Sequence, residues 1–238
     1  MHNAATAYRK GRSIFDNAKA HVENRFLLRM DMQEFFPSLT VDDMDTYKRM
    51  RPNLFKGWTD QDFKWFCFLV FRFDRLTIGA PTSPAMSNAL CFDLDVTLDG
   101  ICQLRGVTYT RYADDLFFSA DESGALADVE QEVKTAVAKL TLPGTLRIND
   151  TKTRHSSKKG ARRVTGIVLG SDGIVYVGRH LKREVRSQVY KLDSLAPKDR
   201  ARLAGMISYI TGFDPEFMNA LVLKYGHPRA IRARDGKP

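Results

Sequence analysis

Three aspartates are the residues of this sequence best suited to chemistry. Asp31 closes an apolar run, Phe26-Leu27-Leu28-Arg29-Met30-Asp31-Met32. Asp114 and Asp115 stand side by side between two apolar or alternating runs that span Val107 to Ala120. Such runs read as strands, so Asp31 falls at a strand end and the pair at the tip of a β-hairpin. If the hairpin pairs beside the first strand, three carboxylates converge at one sheet edge. The cluster then repels itself unless cations neutralise it or some groups take up protons. Oxygen ligands without His or Cys select magnesium or manganese over zinc. Two such ions roughly 3.5–4 Å apart would clamp the attacking and leaving oxygens of an in-line phosphoryl transfer. Taken without context, adjacent aspartates in a tight turn are more simply turn formers.

The elements that must position these residues follow from pattern and punctuation. Pro37 ends the first strand. Thr40 is an N-cap with Asp42 and Asp43 in the first turn of a helix to about Met50. Thr59 caps a second helix, in which Phe63, Phe66, Cys67 and Val70 recur at helical spacing. A turn at Gly79-Ala80-Pro81-Thr82-Ser83 precedes one long buried helix from Pro84 to about Leu104. After the hairpin come an amphipathic helix from Ser123 to Leu140, a short strand Leu146-Arg147-Ile148, and a second hairpin turning at Ser171-Asp172-Gly173. Arg179 to Leu195, Pro197 to Thr211 and Asp214 to Tyr225 read as three helices, with Gly212 stopping the middle one. The whole is an α+β domain with a helical appendage and a boundary near Gly178.

Charge divides the chain more sharply than its total of +9 suggests. Residues 1–146 hold 17 basic and 20 acidic side chains, a balance of −3; residues 147–238 hold 20 and 8, a balance of +12. A basic lobe beside an acidic one suits an enzyme that grips a polyanion with one part and gathers carboxylates in the other. Cys67, Cys91 and Cys102 form no CxxC pair and read as buried reduced thiols. The aromatic run Phe63 to Phe73 is interrupted by Lys64 and Arg72 and too short for a membrane span. The opening residues have no apolar signal core, so a cytoplasmic, bacterial location without membrane contact is expected.

Tyr112-Ala113-Asp114-Asp115 resembles the Tyr-x-Asp-Asp box of reverse transcriptases. Asp31-Met32-Gln33-Glu34-Phe35-Phe36-Pro37-Ser38 resembles the first catalytic motif of their bacterial branch, and Gly79 to Asn88 the motif between the two. All three occur in the family's order. Asn17-Ala18-Lys19-Ala20-His21 and Val164-Thr165-Gly166 further resemble elements of retron reverse transcriptases. The resemblance implies a right-hand polymerase-like palm with partial fingers over residues 1–178 and a basic helical thumb over 179–238. Fingers-like helices would occupy about 40–80 and a primer-gripping hairpin about 163–178.

Residue by residue, the resemblance makes Asp31, Asp114, Asp115 and the Met32 carbonyl ligands of two magnesium ions, with manganese as substitute. It makes Lys152 a proton donor to the departing pyrophosphate. Gln33, Glu34, Phe35 and Phe36 would line the incoming nucleotide, Phe36 leaving no space for a 2′-hydroxyl; one of the two phenylalanines is expected in the core. Gly79 and Ala80 would floor the nucleotide, although Ile78 stands where many relatives carry a glutamine. Asn17, His21, Val164, Thr165, Gly166, Arg179, Lys182, Arg183 and Arg186 would contact RNA or DNA, with Lys158, Lys159, Arg162 and Arg163 a second basic group. The implied partners are a structured non-coding RNA serving as template and primer, the DNA product, dNTPs and an effector protein. Relatives carry a longer region before Asn17, with a fingers hairpin holding the triphosphate; Arg9, Lys10 and Arg12 do not obviously replace it. Two other functions suit the same residues: a non-catalytic scaffold binding RNA or an effector, and another palm-type enzyme such as a nucleotidyl cyclase.

Overall fold

The strand ending at Asp31 is β1 (Phe26–Asp31), an inner strand of a four-stranded antiparallel sheet. It lies between β3 (Asp115–Ala120) and β4 (Arg154–Ser157), with β2 (Thr108–Tyr112) beyond β3. Side chains alternate across the sheet. Leu28 and Met30 face the core together with Leu116, Phe118 and Tyr109. Arg29, Asp31, Asp115, Phe117 and Ser119 take the opposite face, where Thr110 and Tyr112 join them.

In the computed structural model, which describes residues 1–237, the chain falls into two units, Met1–Thr165 and the part from Gly166 onward. In the first, α1 (Ile14–Lys19), α2 (Val41–Met50), α3 (Asp60–Val70), α4 (Ser83–Leu90), α5 (Phe92–Gln103) and α6 (Ala125–Lys139) surround the sheet. Leu94 and Leu98 of α5 and Val129 and Val133 of α6 are fully buried in the core cluster that includes the Leu28–Phe118 face. Each such side chain contributes ~1.5–3 kcal/mol on burial. Capping boxes start α2 (Thr40 with Asp43) and α3 (Thr59 with Asp62), as their sequences predict. Asp43 also accepts from Gly144 N–H at 2.9 Å. The long helix expected from Pro84 divides at Cys91, whose ψ of 10° breaks the helical run between α4 and α5. The strand expected at Leu146–Ile148 is reduced to one bridge, Ile148 with Met32. The short strand β5 (Arg162–Val164) lies near the end of this unit.

In the second unit β6 (Ile167–Leu169) and β7 (Val175–Tyr176) form the expected hairpin. Gly170 is required there: a Cβ would come within 2.1 Å of Asp172 Oδ1. Four helices follow: α7 (Arg179–Tyr190), α8 (Pro197–Phe213), α9 (Glu216–Tyr225) and α10 (His227–Asp235). They bury Val185, Val189, Leu203, Ile207, Phe217 and Leu221 in a core of their own. Helix α8 runs through Gly212 and ends before Asp214, the residue that precedes Pro215 and leaves helical geometry. The short basic α10 shows no apolar period and is absent from the sequence expectation. Cys67, Cys91 and Cys102 are free and buried, and burial pushes their pKa values to about 11, 12 and 12. Among the described residues no helix is long and apolar enough to cross a membrane.

Candidate active site

Strand register sets the carboxylates. Asp31 lies directly opposite Asp115, on one face of the sheet. Asp114 occupies the two-residue turn between Tyr112 and Asp115, and its carbonyl accepts Met32 N–H at 3.0 Å. The turn is strained, because Ala113 adopts φ +56° without being glycine. Arg111 holds it: Nη1 donates to the Ala113 carbonyl at 3.2 Å from a position 0% exposed. That guanidinium is fixed by Asp95 of α5, with Nε and Nη2 each 2.7 Å from a carboxylate oxygen, and by Asn88 of α4 at 3.1 Å.

Two cations stand against the carboxylates. Lys152 Nζ lies 3.0 Å from Asp31 Oδ1 and donates to Oδ2 at 3.2 Å. Oδ1 itself is buried and accepts no hydrogen bond. Arg29 places Nε 2.9 Å and Nη2 2.8 Å from Asp115 Oδ1. Burial pushes the pKa of Asp114 up, and Asp31 adds to the effect. Burial likewise raises Asp115, against the lowering effect of Arg29, with Asp114 and Asp31 adding to the rise. The site therefore resists its own negative charge, a condition that added cations relieve. Among the described residues no three His, Cys, Asp or Glu side chains are grouped closely enough to hold a metal ion. Arg29 and Lys152 have instead engaged two of the three carboxylates.

The other candidate residues are distributed unevenly. Met32 and Phe35 are buried, while Phe36 is half-buried and Gln33 and Glu34 are exposed. Phe35 is thus the core member of the pair. Gly79, at φ +86°, and Ala80 lie in the tight loop before α4, where Ser83 Oγ donates to Thr77 O at 2.8 Å. Val164 is buried, and Thr165 and Gly166 take consecutive left-handed φ values of 46° and 84°. Arg179 and Arg183 are exposed; Lys182 pairs with Asp214, and the Arg186 guanidinium sits 5.2 Å from the Phe217 ring centre. Arg162, of the second basic group, is buried and donates to the carbonyls of Val22 and Asn24. A concavity of about 720 Å³ lies along α3 and residues 71–80 beside Phe68, Leu69 and Phe73, and none of the three aspartates lines it.

Asn17 and His21 are both 0% exposed, so as placed they do not face a nucleic acid. They bind α1 and its following turn to the sheet face that carries Asp31 and Asp115. The hydrogen bonds have a consistent direction. Asn24 Nδ2 donates to Ser119 Oγ, Ser119 to His21 Nδ1, His21 Nε2 to Thr110 Oγ1, and Thr110 to Asn17 Oδ1. This order makes His21 a neutral Nε2–H tautomer. Burial lowers its pKa to about 3. The unfolded histidine takes up a proton near 6.5 and the folded one does not, so stability is lost as pH falls below 6.5. Between pH 7.5 and pH 5 the expected loss is about 2 kcal/mol. Urea denaturation at the two pH values should show it, and His21→Gln should abolish that part of the pH dependence.

Three residues escape the sequence motifs. Arg29 precedes Asp31 by two positions, and strand alternation alone places both on one face. Arg111 is a charge on the apolar side of its strand, a pattern that signals a buried partner. The third, Tyr8, lies in no regular element.

Comparison with known proteins bears on the family. The family described as reverse transcriptase (RNA-dependent DNA polymerase) matches residues 1–181. The chain belongs to the reverse transcriptase family. The retron Ec83 reverse transcriptase of Escherichia coli is 35% identical, over 95% of this chain and 74% of that protein. The retron Ec73 enzyme of the same organism is 32% identical, over 94% and 74%. A foamy viral protease-reverse transcriptase in complex with double-stranded DNA superposes with a TM-score of 0.56 at 13% identity, over 96% of this chain and 38% of that one. The fold is therefore a polymerase palm, and the reverse transcriptase is an RNA-directed DNA polymerase of retron type. Enzymes of this family generally use divalent metal ions.

Proposed function

We propose that this reverse transcriptase copies part of a structured non-coding RNA into DNA by two-metal phosphoryl transfer at Asp31, Asp114 and Asp115. The observation that carries the reading is the register of Asp31 opposite Asp115, with the Asp114 turn bonded to Met32. The donor set fits magnesium: the aspartates supply hard carboxylate oxygens, and burial with mutual repulsion raises the pKa values of Asp114 and Asp115, a condition that a divalent cation relieves. Asp31, Asp114, Asp115 and the Met32 carbonyl would hold two Mg2+ ions, with Mn2+ as substitute. When bound, these supply Lewis-acid activation of a 3′-hydroxyl and neutralisation of the triphosphate.

The chain's own residues complete the chemistry. Lys152 stands beside Asp31 and hands a proton to the departing pyrophosphate. Phe36 presents a half-buried ring to the sugar and excludes a 2′-hydroxyl. Exposed Gln33 and Glu34, with Gly79 and Ala80, receive the nucleotide. Thr165 and Gly166 turn the chain where a primer strand is gripped, and Arg179 and Arg183 track phosphates. Membership of the family described as RNA-dependent DNA polymerase supports an RNA template.

Extension of a primer on an RNA template with dNTPs tests the proposal. The expected result is a DNA product that falls on the order of 10³-fold or more on chelation and returns with Mg2+ or Mn2+. RNA binding without incorporation under either metal would overturn it in favour of a non-catalytic scaffold.

A further inference from the structure

The stretch before α1 has no role in the chemistry above, yet it carries a strained aromatic residue. Tyr8 has φ +58°, in the left-handed region that bulky side chains rarely adopt. It is also 46% exposed, so burial does not explain the strain. The surrounding scaffold over-determines this conformation. Ala5 pairs in parallel with Arg111 of β2. Thr6 donates to the Arg111 carbonyl from N–H at 2.8 Å and from Oγ1 at 3.0 Å, and Arg111 N–H donates back to Ala4 O at 2.8 Å. Asn88 donates to the Ala7 carbonyl at 2.9 Å. A non-glycine residue held in this region by so many outside bonds points to a functional constraint.

Two observations locate the ring. Its centroid is 6.3 Å from that of Phe36, with the planes 47° apart, so the rings form an open aromatic corner. The Tyr8 phenol has its pKa raised, first by partial burial and then by Asp114 and Tyr112, which places it within electrostatic reach of the catalytic turn. The same buried pair, Asn88 and Arg111, holds both the Tyr8 segment and the Ala113 carbonyl. The aromatic corner and the aspartate turn therefore share one scaffold.

We propose that Tyr8 is a specificity-determining residue: its ring buttresses Phe36 and completes the wall against which the incoming deoxyribose sits. This rests on the reading of Phe36 and the carboxylates given above. With both rings in place, the space beside the sugar 2′-carbon is closed from two sides. Without Tyr8, Phe36 can rotate into the vacated space and a 2′-hydroxyl is admitted. Tyr8 makes and breaks no bond; it acts through shape.

Single-nucleotide incorporation of a dNTP and the matching rNTP opposite an RNA template tests this for wild type, Tyr8→Gly, Tyr8→Phe and Phe36→Ala. Glycine accepts φ +58° without strain, so Tyr8→Gly should not lower the melting temperature. It should reduce the dNTP:rNTP ratio of kcat/KM at least tenfold, through a lower KM for the rNTP more than through kcat. Tyr8→Phe keeps the ring and should keep the ratio, while Phe36→Ala should lose more than Tyr8→Gly. Wild-type selectivity in Tyr8→Gly beside a loss in Phe36→Ala overturns the role of Tyr8 and leaves the polymerase reading standing. Loss in Tyr8→Phe as full as in Tyr8→Gly overturns it too, because the hydroxyl and not the ring would then decide. Wild-type selectivity in Phe36→Ala removes the gate itself, and a wild type that incorporates neither nucleotide removes the functional reading with it.

Discussion

Asp114→Asn is expected to abolish DNA synthesis while raising the melting temperature of the metal-free protein. The two effects have one cause. Burial and the neighbouring Asp31 carboxylate lift the pKa of Asp114, so its ionised form is disfavoured in the folded state. A raised carboxylate pKa costs nothing below the unfolded value and opposes folding once pH rises through the folded one. Near neutral pH the charge therefore works against the fold, and asparagine removes it at nearly constant shape. It also relieves Asp115, whose pKa Asp114 helps to raise. The function needs the same charge. An amide oxygen is a far weaker ligand for a hard cation, and a metal contribution of several kcal/mol corresponds to a loss on the order of 10³-fold or more in kcat. Magnesium should raise the melting temperature of wild type more than that of the variant, because only a bound ligand stabilises. Synthesis near the wild-type rate, or a lower melting temperature without metal, would remove Asp114 from the site. Template-primer binding should survive, since the substitution leaves the basic side chains of the helices unchanged.

The catalytic elements were legible in the sequence because each is specified locally. The capping boxes at Thr40 and Thr59 start their helices within four residues. The Asp114-Asp115 hairpin is declared by two strand-like runs and a short turn, and register then follows from the alternation of apolar residues. What stayed hidden depends on partners distant in the chain. His21 invites a reading as a nucleic-acid contact because Asn17-Ala18-Lys19-Ala20-His21 resembles a retron element. Its partners Thr110 and Ser119 are 89 and 98 residues away, and they make it a satisfied interior group. Lys182 belongs to a basic helix face by spacing but is committed to Asp214, 32 residues on. The helix break at Cys91 and the continuation of α8 through Gly212 are further cases of tertiary packing overriding local preference. Arg29 is different. Its position two residues before Asp31 was sufficient to place it beside the carboxylates, and only its charge partner, Asp115, needed the fold.

Arg111→Met is expected to destabilise the protein by about 3–5 kcal/mol, the cost of leaving a buried partner charge uncompensated. Arg111 and Asp95 are both fully buried, and Asp95 also accepts from the Tyr109 hydroxyl at 2.9 Å. Burial pulls the Arg111 pKa down, and the hydrogen bonds and charge of Asp95 more than reverse it. For a domain with a total stability of ~5–15 kcal/mol the loss is a large share. Lysine should rescue little, because one ammonium cannot span both carboxylate oxygens, Asn88 and the Ala113 carbonyl. The informative variant is the double one, Arg111→Met with Asp95→Leu. Replacing a whole buried ion pair by apolar groups is often close to neutral, so most of the lost stability should return. Activity should not return with it. The Ala113 carbonyl still lacks its donor, the strained turn is free to relax, and Asp114 moves relative to Asp31. A displacement of about 1 Å at the reacting groups costs on the order of 10²-fold in rate. Urea denaturation and single-nucleotide incorporation on the same three proteins separate the two roles. If the double variant recovers stability and rate together, Arg111 merely fills the core; recovery of stability alone makes it the brace that holds the catalytic turn in its left-handed conformation.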